Sequence, residues 1–546
     1  MQESKTIVVV GGVAGGMSFA TRYRRLNEHD RIIVLEKGPY VSFANCGLPY
    51  YVSNEISNRE KLIVVSKETL QARFNLEIYE QHEVIKIEKD QKQVVAISDG
   101  KEIVFKYDEL VLSPGAKPFI PEVDGLTQAN NVFTLRNIPD VDKITEYLDN
   151  NLVHKAIVVG AGFIGLEMAE NLSHRGLDVT IIEKAPQVLG PLDKEMAAFA
   201  HNELIRNNIK VLTGTSITKI TEGKAVIEDG TTLDADIIIM SIGVQPESKL
   251  ADEAGLELGS RGGIVVDNKY QTSAEHIYAI GDAILVKHFI TNDDVLISLA
   301  SPANRQGRQL ADILSGKNKS NKGSLGTSIL RLFSLEIAST GLNEKQLHNK
   351  DYSVMHLEAN NHAGYFPNPT KINLKVIFNK ETGMIYGAQA IGKNGVDKRI
   401  DVLATAIKNR MSITELQELE LTYAPPFGTA KDIVNLVGYV SENIIDGVTK
   451  TIQVKELSNY SDAVIIDVRS AKEAALGMID NAINVPIESL REYSINIPKD
   501  KKVILYCQSG TRSYNGERVL RQLGYDVYNL DGSYSIYGES KKAGLI

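Results

Sequence analysis

Two stretches of this 546-residue chain repeat one arrangement, and that arrangement leaves little freedom in how the chain folds. In the first, Thr6-Ile7-Val8-Val9-Val10 is a short β-branched run of the kind buried in parallel sheets. Gly11-Gly12-Val13-Ala14-Gly15-Gly16 follows, then a helix-like segment from Met17 to Leu26, then Arg31-Ile32-Ile33-Val34-Leu35 ending at Glu36. In the second, Ala156-Ile157-Val158-Val159 leads into Gly160-Ala161-Gly162-Phe163-Ile164-Gly165. A helix-like segment to His174 and the strand Val179-Thr180-Ile181-Ile182 complete it, ending at Glu183. Glycines at such a turn let backbone N–H groups approach a pyrophosphate at a helix N-terminus, and the terminal acid accepts from a ribose hydroxyl. The second unit is a full G-x-G-x-x-G; in the first, Val13 stands where the middle glycine belongs. Two units, each with its acid, imply two dinucleotides. A carboxylate at Glu183 repels a 2′-phosphate and favours NADH over NADPH, with Lys184 beside it weakening the preference.

At roughly 150 residues per domain, the length predicts three or four domains. A formal net charge of -9 excludes a general nucleic-acid binder. The uncharged run Thr6 to Thr21 lacks a basic leader, since Glu3 and Lys5 precede it, so a secretory signal is not expected. No apolar run reaches the ~18 residues that span a bilayer. Two cysteines without paired spacing argue against a disulfide framework and suit a reducing cytoplasm. No metal site is expected.

One of those cysteines stands in Ser42-Phe43-Ala44-Asn45-Cys46-Gly47-Leu48-Pro49-Tyr50, just after the first nucleotide unit. No second cysteine is near, so Cys46 cannot close a local disulfide and must react with something other than a protein thiol. Gly47-Leu48-Pro49 reads as a helix start with Pro49 in its first turn, which would favour the reactive thiolate. Arg22, Arg24 and Arg25 on the preceding helix read either as a solvated basic face or as anchors for a phosphate-bearing substrate.

Three further segments flank the nucleotide units. They are Leu110-Val111-Leu112-Ser113-Pro114-Gly115-Ala116, Asp236-Ile237-Ile238-Ile239-Met240-Ser241-Ile242-Gly243 and Ile277-Tyr278-Ala279-Ile280-Gly281-Asp282-Ala283. With them the chain resembles the two-dinucleotide flavoprotein disulfide reductases, in which the nicotinamide domain is inserted within the FAD domain. The resemblance implies FAD and NADH, or NADPH, as cofactors. It implies cofactor contacts from Gly11, Gly12, Ala14, Gly15, Gly16, Glu36, Lys37, Ser113, Gly115, Gly281 and Asp282, the last at the ribityl chain. For the nicotinamide nucleotide it implies Gly160, Gly162, Phe163, Ile164, Gly165, Glu183 and Gly243.

Glutathione-reductase-like members carry two cysteines with four residues between them, unlike this chain. Among single-cysteine members, the run around Cys46 is most similar to coenzyme A disulfide reductases and to persulfide or polysulfide reductases. The alternative is an NADH oxidase or peroxidase working through a cysteine sulfenic acid. By the same resemblance Ser18, Arg22, Arg25, Ser42, Asn45, Asn304, Asn361 and Lys431 are candidate contacts to coenzyme A.

Lys371 to Phe378 and Met384 to Ala390 read as strands, and Val402 to Lys408 and Ile413 to Leu421 as helical. This part resembles the family's dimerisation domain, which implies a homodimer. Tyr365 in Asn360-Asn361-His362-Ala363-Gly364-Tyr365 and Tyr423 in Leu421-Thr422-Tyr423-Ala424-Pro425-Pro426-Phe427-Gly428 align with two tyrosines that reach the reactive cysteine of the other subunit. His362 reads as loop structure.

Lys450 to Glu456 reads as a polar connection into a last domain. Ala463 to Arg469 and Val503 to Tyr506 read as strands, the second leading to Cys507-Gln508-Ser509-Gly510-Thr511-Arg512-Ser513. A cysteine after a strand, then a Gly- and Ser-containing loop and an arginine, makes a nest of N–H groups around sulfur. A helix from Tyr514 to Leu523 adds its dipole. The segment resembles single-domain rhodaneses, although Met478 stands where a histidine is common. Arg512 comes five positions after Cys507, one fewer than in the related phosphatase loop, so the pocket suits sulfur better than phosphate. A binding module without activity is the alternative.

The expected architecture is α/β: a Rossmann-like FAD domain (1–117 and 244–325) and an NAD(P)-binding domain (118–243), then an α+β dimerisation domain (326–446) and a rhodanese-like domain (455–546). The expected activity is FAD-dependent, NAD(P)H-driven reduction of coenzyme A persulfide, coenzyme A disulfide or polysulfide, with Cys507 and Arg512 serving sulfur transfer. Partners are then a small thiol persulfide or disulfide and a second copy, with no nucleic acid and no membrane.

Overall fold

The β-branched run Thr6–Val10 is buried along almost its whole length because it lies at the centre of a parallel sheet. The sheet order is Ile277–Ala279, Glu109–Leu112, Thr6–Val10, Arg31–Leu35 and Glu77–Tyr79. Val10 pairs with both Leu35 and Leu112, and Leu112 pairs with Ala279. That register brings Gly11, Glu36, Ser113 and Gly281 to one carboxyl edge, where open α/β sheets hold their ligands. A second parallel ladder runs through Val132–Phe133, Ile237–Met240, Lys155–Val159 and Asp178–Glu183. Here Val159 pairs with Ile182 and Met240, so Gly160, Glu183 and Ser241 meet in the same way. The chain crosses between the two ladders on Ala116–Pro118 and Val244–Pro246, which pair antiparallel.

The computed structural model describes residues 4–348 and 350–546. They form two compact units, Met1–Lys184 with Thr215–Gly326 and Ala185–Gly214 with Thr327–Ile546. Both nucleotide turns and Cys46 belong to the first unit. In it the helix Ala14–Arg24 packs on the helix Ala300–Leu314, with Gly307 set directly on the backbone of Gly15; a Cβ at Gly307 would lie 2.3 Å from the Gly15 carbonyl oxygen.

The second unit holds an antiparallel sheet ordered Ser328–Leu332, Leu335–Gly341, Ile385–Gly392, Lys371–Phe378, Ser353–Asn360. It also holds a parallel sheet ordered Thr451–Ile452, Val527–Leu530, Val503–Tyr506, Val464–Asp467, Ile483–Asn484. The strand Thr451–Ile452 already joins that last sheet, so the expected polar connection at 450–456 is part of the C-terminal fold. The helix expected from Val402 begins earlier, at Val396, because Gly395 with φ 80° caps it. The helix expected over 413–421 is a short 3₁₀ segment, Ile413–Glu418. The helix expected from Tyr514 is Thr511–Gln522, which puts Arg512 and Ser513 in its first turn.

One buried ion network ties the second unit together. Lys375 is fully buried, and its ammonium lies 2.9 Å from Asp193, 2.5 Å from Glu344 and in contact with Glu195. The three carboxylates would suit a metal ion by spacing, but the lysine supplies the cation. His356 donates from both ring nitrogens, to Asp531 at 2.6 Å and to Glu195 at 3.2 Å. The helix Lys194–Arg206, the antiparallel sheet and the C-terminal sheet thereby share one set of charges. Removing a single partner would strand a buried charge, which is the costly case.

Candidate functional site

The two glycine turns are alike at the level of atoms. Gly11 and Gly160 adopt φ of 97° and 100°, and a Cβ on either would strike the carbonyl oxygen of Ser113 or Ser241. At the middle position the two differ. Val13 has φ -105°, so its backbone asks for no glycine, and a side chain is tolerated. At Gly162, apart from its own stretch of backbone, no described residue comes within 4 Å of where a Cβ would stand. That open face on the helix Phe163–His174 is a cradle a pyrophosphate can enter and a side chain would fill. Phe163 and Ile164 form the first turn of that helix, and Gly243 with φ 110° is likewise clear of other atoms.

The terminal acids close back on their own loops. Glu36 accepts from the N–H of Gly12 and of Gly38, each at 2.8 Å, and burial raises its carboxyl pKa. Glu183 accepts from the N–H of Ala161 at 2.7 Å. Lys37 pairs with Glu247 at 3.8 Å. Gly281 donates to the Gln306 amide at 2.7 Å, which fixes the turn that carries Asp282. Asp282 is largely buried, and burial raises its pKa against the opposing pull of Arg136. A sunken carboxylate on the nucleotide edge fits a hydroxyl-bearing ligand chain. The donor set therefore fits FAD at the first turn and a nicotinamide nucleotide at the second.

Cys46 is an exposed free thiol on the single turn Asn45–Gly47, followed by the helix Leu48–Val52 with Pro49 in its first turn. The helix start was expected to favour thiolate. Within the chain the balance goes the other way: desolvation raises the Cys46 pKa first, the carboxylates of Glu167 and Asp282 add to it, and Arg136 opposes them. A helix of five residues has too little aligned dipole to outweigh two carboxylates. Asn45 donates to the Arg136 carbonyl at 3.5 Å, and Tyr50 donates to Glu167 at 3.2 Å.

Arg136 is the residue that sequence reasoning missed. Its guanidinium lies 3.9 Å from Asp282 and within 2.7 Å of where a Cβ on Gly115 would stand. It immediately precedes the capping box Asn137–Asp140 of the helix Ile138–Asn150. That cap was legible as a helix start, but nothing local ties it to Cys46.

The candidate anchors for coenzyme A are placed unevenly. Ser18 donates to Asn304 across the two packed helices, so these two candidates do meet. Arg22 is engaged with Asp312 at 2.7 and 2.9 Å, and Arg25 lies over the Phe74 ring. Ser42 holds the positive φ of 50° that turns the chain into the Cys46 segment.

In the second unit Asn361 is tied down: its carbonyl accepts from Arg399 at 2.9 Å, and its side chain accepts from the Thr370 N–H at 2.8 Å. His362 faces its own neighbour Ala363, as loop structure does. The Tyr365 and Tyr423 hydroxyls lie 3.1 Å apart, and Tyr365 is 77% exposed. Their mutual hydrogen bond raises the Tyr365 pKa and leaves one O–H hydrogen of the pair free to donate outward. Lys431 is exposed nearby in sequence, its carbonyl accepting from Thr429.

The other cysteine, Cys507, is buried at the end of Val503–Tyr506. The N–H of Gly510 points at its Sγ from 3.1 Å and the Ser513 hydroxyl from 3.5 Å. Its own N–H donates to the Ser533 hydroxyl, and its carbonyl accepts from Tyr534. Of the nest of N–H groups expected from the Cys-x-x-Gly-x-Arg spacing, one backbone N–H, that of Gly510, reaches the sulfur, with the Ser513 hydroxyl beside it.

Comparison with known proteins bears on both sites. Residues 5–307 match the family described as pyridine nucleotide-disulphide oxidoreductase, residues 328–432 its dimerisation domain, and residues 451–539 the rhodanese-like domain. A coenzyme A disulfide reductase of Staphylococcus haemolyticus is 37% identical over 443 residues, 81% of this chain and 100% of that protein. Reduced Bacillus anthracis CoADR-RHD superposes with a TM-score of 0.97 at 48% identity, covering 99% of each chain. A NAD-dependent persulfide reductase from A. fulgidus superposes with a TM-score of 0.93 at 36% identity, over 97% of this chain and 100% of its own. A water-forming NADH oxidase from Lactobacillus brevis shares the fold at a TM-score of 0.78 but only 23% identity.

Proposed function

The chain belongs to the pyridine nucleotide-disulphide oxidoreductases, and on that premise we propose that it reduces coenzyme A persulfide or coenzyme A disulfide with NADH, using FAD. One observation carries the proposal: a solitary, exposed Cys46 sits at the edge shared with Asp282 and Arg136, with no second protein cysteine to partner it. Bound FAD supplies the two-electron link from reduced nicotinamide to the sulfur at Cys46. The overall reactions balance as CoA–S–SH + NADH + H⁺ → CoA–SH + H₂S + NAD⁺, and as CoA–S–S–CoA + NADH + H⁺ → 2 CoA–SH + NAD⁺.

The Cys46 thiolate attacks the S–S bond and holds one half as a mixed disulfide or a persulfide, while the other half leaves as thiol or sulfide. Among the described residues Arg136 is the charge that acts on that thiolate in its favour, opposite Glu167 and Asp282. Tyr365 and Tyr423 act in a homodimer, where one free phenolic hydrogen donates to the departing thiolate of the other subunit's substrate. Glu183 selects NADH by repelling a 2′-phosphate. Ser18, Ser42, Asn45 and Asn304 line the route for the coenzyme A chain. Cys507 receives sulfane sulfur and passes it on to a thiol acceptor. No helix among the described residues is long and apolar enough to cross a membrane, in keeping with a cytoplasmic enzyme.

The deciding experiment follows NADH oxidation anaerobically with coenzyme A disulfide, coenzyme A persulfide or no acceptor, and aerobically with none. Turnover that requires a coenzyme A acceptor and disappears in Cys46→Ser supports the reading. Fast turnover with dioxygen or peroxide and none with either acceptor would favour an oxidase instead.

A further inference from the structure

The charges around Cys507 are more fully paired than a site for an anionic donor requires. Two guanidinium groups belong to this end of the domain. Arg469 is buried and clasped by Asp467 at 2.7 and 3.0 Å, with its plane 4.0 Å over the Tyr534 ring. Arg512, in the first turn after the sulfur loop, gives both terminal nitrogens to Glu473 at 2.7 and 2.8 Å. Glu473 is itself locked in place. Its Oε2 accepts from the Ser470 N–H at 3.1 Å and the Ser470 hydroxyl at 2.7 Å, as the N3 member of the capping box on Ala471–Ala474. A fork-to-fork pair with one side pinned by a helix cap is pre-organised rather than a passing surface contact.

We propose that Glu473 sets the donor specificity of the Cys507 site, admitting a thiol persulfide and refusing thiosulfate. The inference rests on Cys507 being a sulfane-sulfur carrier, as put forward above. From a persulfide the transfer is Cys507–S⁻ + R–S–SH → Cys507–S–S⁻ + R–SH. The sulfur–sulfur bond of the donor breaks, one forms at Cys507, and the donor's proton leaves with the thiol, so no oxidant or reductant is needed. The Gly510 N–H and the Ser513 hydroxyl are set on the Cys507 sulfur that takes up the transferred atom. From thiosulfate the transfer is Cys507–S⁻ + S–SO₃²⁻ → Cys507–S–S⁻ + SO₃²⁻. A dianion must then approach a thiolate and leave as a dianion, and it needs a guanidinium whose charge is not already spent. Glu473 holds both terminal nitrogens of Arg512, the guanidinium that also acts on the Cys507 sulfur, and so sets a carboxylate beside that cation, which discriminates by repulsion as well as by weakened attraction.

The test uses the full-length, FAD-loaded enzyme with cyanide as acceptor and thiocyanate as the product read. Donors are glutathione persulfide and thiosulfate, and intact mass records whether Cys507 gains one sulfur. The native enzyme is expected to favour the persulfide in kcat/KM by about a hundredfold or more, and Glu473→Gln to move that ratio toward thiosulfate by about tenfold or more. Glu473→Asp keeps the charge and is expected to keep the native preference, which separates charge from any loss of folding. A native ratio near one, or a ratio unmoved in Glu473→Gln while Cys507 still takes up sulfur, overturns the inference alone. No sulfur on Cys507 from either donor overturns the carrier reading, and the inference falls with it.

Discussion

The Arg136 guanidinium stands 3.9 Å from the Asp282 carboxylate, on the edge where Cys46 is exposed. It is the cation acting against two carboxylates and partial desolvation, all of which raise the Cys46 pKa. Removing it leaves the thiolate facing Glu167 and Asp282 alone. Arg136→Gln is expected to raise the Cys46 pKa further and to slow alkylation by iodoacetamide at neutral pH several-fold. The pH profile of alkylation measures it; an unmoved profile would show that Arg136 does not act on the sulfur.

The Glu183 carboxylate reaches the Ala161 N–H at 2.7 Å, so it already occupies the rim of the second nucleotide turn. A 2′-phosphate arriving there meets a fixed negative charge. Glu183→Ala is expected to shift the kcat/KM ratio of NADPH to NADH upward by about tenfold, equivalent to about 1.4 kcal/mol of discrimination. Steady-state rates with the two nucleotides decide it, and an unaltered ratio would place the selection elsewhere.

Features with a local physical cause could be read from the chain. The two strand–glycine–helix turns, their terminal acids and the Cys507 nest each occupy one continuous stretch, and each has the conformation its residue types demand. Arg136 was invisible because it lies 90 residues from Cys46 and only tertiary folding brings the two into one field. Lys375 is hidden from the sequence in another way. Lys371, Asn373 and Lys375 alternate as an exposed strand face would, yet Lys375 is fully buried because Asp193, Glu195 and Glu344 come from elements distant in sequence. Arg22 read as either an anchor or a solvated charge; its partner Asp312 lies 290 residues on, beyond the reach of any local pattern.

His356 gives the second unit a pH dependence with a definite sign. Desolvation pulls its pKa down, but Asp531 and Glu195 outweigh that and raise it from 6.5 to about 9. The folded state therefore holds a proton that the unfolded chain releases above pH 6.5. The stabilisation is complete below about 6.5 and is lost as the pH rises through about 9; a shift of that size is worth on the order of 3 kcal/mol. Thermal denaturation of the native protein and of His356→Gln from pH 6 to 10 is expected to show a gap that closes over that range. A gap independent of pH would mean that the imidazole is neutral in the folded protein.

The roles proposed for Cys507 and Cys46 can be separated by experiment. The Staphylococcus haemolyticus relative spans 443 residues and matches 81% of this chain, so its whole length is accounted for without a segment the size of the C-terminal domain. On the proposed reading, disulfide reduction at Cys46 needs no sulfur-carrying residue downstream. In Cys507→Ser the rate of NADH oxidation with coenzyme A disulfide is expected to stay within about twofold of native, since the serine keeps the Val503–Tyr506 strand and its loop packed. Thiocyanate formation from a persulfide and cyanide is expected to fall to background in the same preparation, because a hydroxyl cannot carry sulfane sulfur. Parallel assays of the two reactions make the comparison, and a matching collapse of both would show that electrons reach the disulfide by way of the rhodanese-like domain.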